Sequence, residues 1–105
     1  MNDQLKKGVL DGFVLAFIKR NDAYGYKLVH NFLPLVEISE STLYPILRRL
    51  EKQGCLTTYK LKYKGRIRKY YRVTPKGEKK LEEDYVNFNK LKYIFDTLVK
   101  RIDKK

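Results

Sequence analysis

The sequence has few of the side chains from which metal sites, disulfides and catalytic centres are built. Its 105 residues include one cysteine, one histidine and no tryptophan. A single cysteine excludes an intramolecular disulfide and an all-cysteine zinc site. His30 has no acid or nucleophile arranged around it in the sequence, and Cys55 stands between a helix end and a strand, where a small buried hydrophobe is the usual role. We therefore predict no metal, no cofactor and no catalytic residue.

Long apolar runs are also missing. In the N-terminal stretch MNDQLKKGVLDGFVLAFIKR, Asp11 and Gly12 interrupt the apolar residues, and the stretch has no small-residue cleavage site. A membrane-spanning helix needs about 18 or more apolar residues in succession. We therefore expect a cytoplasmic protein with no membrane partner.

Acidic residues are scarce relative to basic ones. Lysine and arginine number 24 against 12 acidic residues, which gives a net charge of +12. A surplus of this size is usually compensated by nucleic acid, anionic lipid or an acidic protein. Because 43% of the residues are apolar, the chain is not compositionally disordered, and its length predicts one domain that a second copy would help to stabilise.

Apolar residues at helical spacing predict the first two helices. The first covers residues 5–19, and its apolar stripe is broad enough to pack on two neighbours. The second begins after Asp22, whose carboxylate can accept hydrogen bonds from first-turn amides. We expect Pro34 to end it.

A third helix is predicted after the capping residue Ser39, with an apolar face that repeats from Leu43 to Leu50 and Gly54 as its C-terminal cap. Pro45 lies inside this segment and leaves two alternatives open. If Ser39 is the cap, Pro45 is the sixth helical residue and removes the donor for a carbonyl one turn earlier. If the helix begins at Ser41 or Thr42, Pro45 falls in the first turn without cost.

The stretch LTTYKLKYKGRIRKYYRVT predicts a basic β-hairpin that turns at Lys64 and Gly65. Seven cations and no acid occur between Lys60 and Arg72, which suggests that phosphates supply the missing charge. The alternative is an edge strand that lysines protect from aggregation. The tyrosines either stack on single-stranded nucleic acid or pack the hairpin on the helices. Near the base, one face should carry Leu56, Thr58, Tyr71 and Val73, and the other Tyr59, Leu61, Tyr63 and Tyr70.

The last helix begins at Pro75 and keeps an apolar stripe for nearly thirty residues. Such a stripe exceeds what a small body can cover, so we expect a two-fold dimer that sets two recognition helices on successive major grooves. The alternative is that the helix folds back on the first helix of its own chain.

These elements predict a mostly α fold with a small β-hairpin (α+β). Residues 1–74 would form a winged helix-turn-helix DNA-binding domain and residues 75–105 an appended C-terminal dimerisation helix, together one compact unit. The outward face of the third helix is short and polar at its start and basic later. That gradient suits a helix that meets base edges and phosphates, although an ordinary solvated face is the alternative. The face carries Ser41, Pro45, Arg48 and Lys52, flanked by Tyr44 and Arg49.

The stretch STLYPILRRLEKQG, followed by RKYYRVTPKG and preceded by YGYKL, resembles the PadR family of bacterial transcriptional regulators, in particular its small subfamily with a single C-terminal helix. The resemblance implies a dimeric winged helix-turn-helix repressor that binds a palindromic double-stranded operator and is released by an effector. The positions that match the family's recognition helix are Ser41, Thr42, Tyr44 and Arg48. Those that match its wing are Lys62, Lys64 and Arg66.

The resemblance also implies an effector pocket. Some members of the small subfamily bind flat hydrophobic compounds at the dimer centre, where an aromatic side chain of the last helix stacks on the ligand. The matching position is Phe88, with Leu5, Val9 and Lys92 nearby. Drug binders of the subfamily have a tryptophan as the stacking residue, and this chain has none.

Together these observations predict a sequence-specific double-stranded DNA-binding regulator, a repressor relieved by a small molecule. The alternative is a winged-helix interaction module, such as an antiactivator, that binds an acidic protein.

Overall fold

The computed structural model describes the backbone of residues 3–103 and the side chains of residues 8–101. The predicted class, mostly helical with a small antiparallel β element and one long C-terminal helix, is confirmed. In chain order the elements are α1 (Asp3–Arg20), β1 (Ala23–Tyr24), α2 (Gly25–Lys27), a π-helical segment (Leu28–Phe32), α3 (Leu33–Val36), α4 (Glu40–Lys52), β2 (Leu56–Tyr63), β3 (Arg66–Val73) and α5 (Pro75–Asp103).

The hydrophobic core lies between α1, the π-helical segment and α4. The broad apolar stripe predicted for the first helix is confirmed in part: Leu15 is as fully buried as Val14 and Ile18, but Phe13 is 45% exposed and Ala16 is exposed as well. α1 packs against α4, β3 and α5. The other core side chains are Leu10, Ala23, Leu28, Phe32, Leu33, Leu43, Ile46, Leu47, Leu50, Cys55 and Leu56.

The second helical region differs from the prediction at both ends. Tyr24 is the N-terminal cap residue of α2 and makes no side-chain cap bond, so the cap predicted at Asp22 is wrong. The carboxylate of Asp22 instead bonds to two side chains of the hairpin. Pro34 does not end the helix either, because the helical backbone continues from the π-helical segment through Pro34 to Val36. The chain leaves the helix at Glu37, which has a left-handed φ of 56°.

Helix α4 begins and ends with the predicted caps. The Oγ of Ser39 accepts a hydrogen bond from the N–H of Thr42, so the first of the two alternatives for Pro45 is the observed one. At the other end, Gly54 has a φ of 79°, and the N–H of Cys55 bonds to the carbonyl of Leu50. This is the bond of a Schellman motif, which requires a residue of positive φ after the helix.

The predicted hairpin is present, and a short strand joins it. Tyr63 pairs with Arg66 across a turn formed by Lys64 and Gly65, both of which have positive φ, as in a type I′ turn. The predicted division of the hairpin residues between two faces agrees with this register. The sheet has the order β1-β3-β2, and the two-residue strand β1 was not foreseen because it is too short to show a period.

Helix α5 packs on α1 along its first ten residues and then projects beyond the body, and the structure extends over 66 × 27 × 22 Å. Its first turn is fixed to the body by Gly77, where a Cβ atom would overlap the carbonyl oxygen of Cys55 and lie 2.9 Å from Cγ1 of Val73. Leu81 still packs against the core. Between residues 3 and 103, no helix is both long and apolar enough to cross a membrane.

Candidate nucleic-acid interface

The face of α4 opposite the core is exposed and carries most of the predicted recognition residues. Ser41, Pro45 and Arg48 are exposed, and Tyr44 is 38% exposed. Thr42 is half-buried, which places it at the margin of this face. The four predicted recognition residues thus lie on one helix, with hydroxyls in its first turn and a guanidinium two turns later.

Three hydroxyl groups form a cluster at the N-terminus of α4. The Oγ of Ser39 lies 2.8 Å from Oγ of Ser41 and 3.1 Å from Oγ1 of Thr42. A hydroxyl can both donate and accept, so these groups can rotate to meet a base edge or a phosphate while the backbone cap is kept. The cluster therefore presents adaptable hydrogen-bonding groups at the N-terminal, partially positive end of the helix.

Pro45 is inside α4 and exposed. With Ser39 as the cap, Pro45 is the sixth helical residue counted from Glu40, so the carbonyl of Ser41 lacks its usual N–H partner. That carbonyl belongs to the exposed side of the helix, where water or a ligand donor can bond to it. The proline thus affects the outward face and leaves the apolar face intact.

The sequence suggested that Arg49 flanks the outward face, but in the structure its side chain turns toward α1. Its guanidinium pairs with the carboxylate of Asp11 on α1, and its side chain is only 25% exposed. Helical periodicity places Arg49 at the border between the two faces, and the acid that draws it inward lies far away in the sequence. Sequence reasoning therefore missed this contact, although Asp11 was visible as an interruption in an apolar stretch.

The wing residues Lys62, Lys64 and Arg66 are all exposed around the turn of the hairpin. Lys64 occupies the first, left-handed position of that turn, and its Nζ lies 5.4 Å from the centre of the Tyr63 ring. The two strands keep the three cations within a short stretch at the end of the hairpin farthest from the core. The structure therefore brings the predicted wing residues together.

Two of the seven hairpin cations have acidic partners outside the hairpin. Arg72 contacts Asp22 at 2.9 Å, and Nζ of Lys69 lies 4.0 Å from Oε1 of Glu51. Among the side chains of residues 8–101, no carboxylate lies within 4.0 Å of the other five cations. These five are Lys60, Lys62, Lys64, Arg66 and Arg68, and they leave most of the hairpin charge available to phosphates.

Asp22 connects the base of the wing to the loop after α1. Its Oδ2 accepts hydrogen bonds from the hydroxyl of Tyr59 at 2.6 Å and from Nε of Arg72 at 2.9 Å. Partial burial acts to raise the pKa of the Asp22 carboxyl, but these two bonds and the positive charge of Arg72 together outweigh it, and the pKa is lowered. The bond to Asp22 raises the pKa of Tyr59. The contact orients the wing relative to the helices.

The tyrosines on the outer face of the sheet pack against one another and against arginines. The ring of Tyr70 lies 5.2 Å from that of Tyr24 and 5.3 Å from that of Tyr59. The guanidinium of Arg68 lies 4.4 Å from the Tyr24 ring and 4.2 Å from the Tyr63 ring. These contacts favour packing of the wing over base stacking as the role of the tyrosines.

The effector residues implied by the resemblance are only partly described. Val9 is half-buried, Phe88 is 52% exposed and Lys92 is exposed, while the side chain of Leu5 lies outside the described residues. Val9 and Phe88 lie one turn beyond the point where Gly12 of α1 meets Asp84 of α5. A groove between the same helices is lined by other residues, among them Ala16, Lys19, Leu81 and Tyr85.

A metal centre finds no support in the part of the chain that the structure describes. There, no three side chains of His, Cys, Asp or Glu are grouped so that they could hold a metal ion. Cys55 is buried, and His30 is exposed and stacked on Tyr26 at 4.0 Å between ring centres.

Three comparisons relate this architecture to known proteins. Among solved structures, smu.1704 of Streptococcus mutans UA159 has a TM-score of 0.80 and 38% identity, covering 90% of this chain and 89% of that one. The PadR-like transcriptional regulator BC4206 of Bacillus cereus strain ATCC 14579 has a TM-score of 0.80 and 31% identity, covering 92% and 97%. The transcriptional regulator Rv3488 of Mycobacterium tuberculosis is 47% identical over 47 residues, which are 45% of this chain and 44% of that protein.

The sequence profile of the transcriptional regulator PadR-like family matches residues 14–83. The matched range begins in α1 and includes α4 and the whole hairpin, which are the elements that carry the candidate interface. The chain therefore belongs to the PadR-like family of transcriptional regulators, and it is a winged-helix, DNA-binding regulator and not an enzyme.

Proposed function

We propose that the chain is a sequence-specific repressor that binds double-stranded DNA as a homodimer. The observation that carries the proposal is the exposed face of α4, which carries hydroxyls in its first turn and Arg48 further along. The wing adds five cations that no carboxylate of residues 8–101 approaches within 4.0 Å. In this arrangement α4 enters a major groove, and the wing contacts the phosphate backbone. A cytoplasmic location follows from that role as part of the proposal.

The two sets of residues have different tasks in this proposal. Ser41, Thr42, Tyr44 and Arg48 meet base edges, because a guanidinium can bond to guanine in bidentate fashion and hydroxyls can bond to any base. Lys62, Lys64 and Arg66 meet phosphates, which fix the position of the protein but carry no sequence information. The first set should determine which sequence is bound, and the second how strongly any sequence is bound.

The dimer is proposed from the apolar side chains of α5. Phe88, Leu91 and Leu98 follow one another at helical spacing, and each is about half exposed in the single chain. A second copy that covers this face by two-fold symmetry buries both stripes at once. Two recognition helices related in this way would read a palindromic operator with half-sites about 34 Å apart.

A mobility-shift titration tests the repressor proposal. We expect DNA from upstream of the chain's own gene to bind at least about a thousandfold more tightly than random DNA at the same salt concentration. Equal affinity for the two would contradict it. Binding to an acidic protein that resists salt, with no DNA affinity at about 100 mM salt, would favour the interaction module instead.

Two variants separate the proposed tasks in the same assay. Arg48→Ala should cost about 1 to 3 kcal/mol on the specific sequence and relax its preference, whereas Lys64→Ala should weaken all sequences alike and lower the salt slope by about one. Each variant removes one cation, so each is the charge-matched control for the other. Equal, salt-sensitive losses in both would show that Arg48 contacts phosphate and does not read bases.

Relief of repression by a flat hydrophobic effector is the final part of the proposal. It is supported by Phe88, whose ring is half exposed on the α5 face and one turn from the contact with α1. A flat cationic dye should quench the intrinsic tyrosine fluorescence and release DNA, and Phe88→Ala should weaken both effects. Quenching without release of DNA would show a binding site that is not coupled to regulation.

A further inference from the structure

Four charged side chains meet where α1 crosses α4 and α5. Asp11 on α1 pairs with Arg49 on α4, and its Oδ2 lies 4.0 Å from Nζ of Lys80 on α5. The same Nζ lies 3.3 Å from Oδ2 of Asp84, one turn further along α5. These four residues, called the charge cluster below, contain two acids and two bases and therefore carry no net charge.

The cluster has a buried carboxylate, Asp11, at its centre, and its other three side chains are 25% to 29% exposed. Asp11 is 5% exposed, and burial raises the pKa of its carboxyl although Arg49 and Lys80 act to lower it. The buried Oδ2 of Asp84 accepts no hydrogen bond from the described residues, so its contact is the ion pair with Lys80. Removing ions from water costs several kcal/mol each, and apolar replacements of a buried pair are often as stable or more stable. A role in orientation accounts for the cluster better.

The pair between Asp11 and Arg49 can fix the rotation of α4 about its own axis. Hydrophobic contacts between α4 and the core are non-directional, so they tolerate small rotations of the helix about its axis. A hydrogen-bonded guanidinium and carboxylate have a defined geometry. Because Arg48 and Arg49 are neighbours on α4, the inward contact of Arg49 sets the direction in which Arg48 leaves the outward face.

The cluster also connects α4 to the long helix. Lys80 and Asp84 belong to α5, and a Cβ atom on Gly12 of α1 would lie 3.8 Å from the Cβ of Asp84, so the two backbones approach closely here. Asp11 stands next to this contact. A change in the packing of α5 on α1 would therefore alter the charges around Asp11 and its contact with α4.

We propose that Asp11 is a positioning residue for DNA recognition, which sets the rotation of α4 through Arg49 and ties it to α5 through Lys80 and Asp84. The inference rests on the proposed sequence-specific function. Asp11 itself touches no DNA in this scheme. Its effect appears in the discrimination between sequences and leaves the general attraction to phosphates unchanged.

A charge-neutral double variant, Asp11→Leu with Arg49→Met, tests the proposal in the full chain. The probes are a duplex selected from a random pool by the unmodified protein and a random duplex of equal length. We expect the ratio of the two affinities to fall about tenfold or more, while the affinity for the random duplex stays within about twofold. The melting temperature should be equal or higher, because apolar side chains replace a buried pair. A role in stability alone would leave the ratio unchanged.

Two further comparisons keep the test decisive. Asp11→Glu keeps the carboxylate and should keep most of the discrimination, whereas Asp11→Asn should lose it, and both can be measured if the double variant does not fold. Glu51→Gln with Lys69→Gln is the matched control, because it removes an exposed pair between α4 and β3 without a change in net charge. Its affinity ratio should not change.

The outcomes separate this inference from the proposed function. If the unmodified protein selects no sequence from the pool, the proposed sequence-specific function fails. If it selects a sequence and the Asp11 variants discriminate as well as the unmodified protein, the repressor proposal stands and the positioning role of Asp11 is refuted.

Discussion

Apolar side chains are covered very differently in the two parts of the chain. In the body, which comprises α1 to β3, Val14 and Leu47 are at most 1% exposed. In α5 beyond Leu81, Phe88 and Leu98 are 52% and 50% exposed. Both regions show the same helical spacing in the sequence. The difference teaches that periodicity identifies the apolar face of a helix but does not say whether the same chain covers it.

The largest effect is expected from a cavity in the body. Leu47→Ala should lower the free energy of unfolding by about 2 to 5 kcal/mol, because its side chain is 1% exposed in the contact between α4 and the core. Urea unfolding, measured at several protein concentrations, gives the value. The loss should be the same at each concentration. A loss that disappears as the concentration rises would contradict the view that the body is closed within one chain.

A smaller loss in the free energy of unfolding is expected where α5 joins the body. Gly77→Ala should lower the free energy of unfolding by about 1 to 3 kcal/mol, because the new methyl group would overlap the carbonyl oxygen of Cys55. Gly8→Ala is the matched control, since a Cβ atom there meets nothing within 4 Å. Thermal unfolding of the two variants gives the comparison. Similar melting temperatures would mean that the first turn of α5 can shift away from the body without cost.

The apolar side chains of α5 beyond Leu81 should mediate self-association of the chain. Leu98→Ala should weaken self-association by about 1 to 2 kcal/mol, since the half of its side chain that is exposed would be buried by a second copy. Sedimentation equilibrium measures the change as roughly tenfold in the dimer dissociation constant. Lys100→Ala, on the same helix, should have little effect. A monomer for the unmodified protein at all concentrations would contradict the proposed dimer.

The sequence predicted the elements whose signals are local. The cap at Ser39, the turn at Lys64 and Gly65 and the start of α5 at Pro75 each depend on residues within a few positions of one another. Pro34 was misread as a helix end because the π-helical segment before it runs directly into α3, so the helical backbone continues past the proline. That segment has no sequence signal that periodicity could detect.

The parts of the candidate site that escaped prediction are contacts between distant residues. Asp22 was expected to cap α2, but it bonds to Tyr59 and Arg72, which lie on the two strands of the hairpin. Arg49 was expected beside the outward face, but Asp11 draws it inward. In both cases a charged side chain pairs with a residue that is distant in the sequence and close only in the tertiary fold. The roles of Ser41, Thr42, Tyr44 and Arg48 stay predictions, because exposure alone does not show contact with DNA.

The smallest effect is expected from the exposed ion pair at the base of the wing, and it should appear only in acid. Because Asp22 has a lowered pKa in the folded chain, its contribution to stability is complete above the ordinary value of 3.8 and is lost as the pH falls through the lowered pKa. Urea unfolding from about pH 6 to about pH 2.5 should therefore show a slope that Asp22→Asn removes. Asp96→Asn, an equal change of charge on α5, should keep the slope. Tyr59→Phe should reduce it, since one of the two bonds that lower the pKa remains. If the slope survives in Asp22→Asn, other carboxylates dominate acid unfolding.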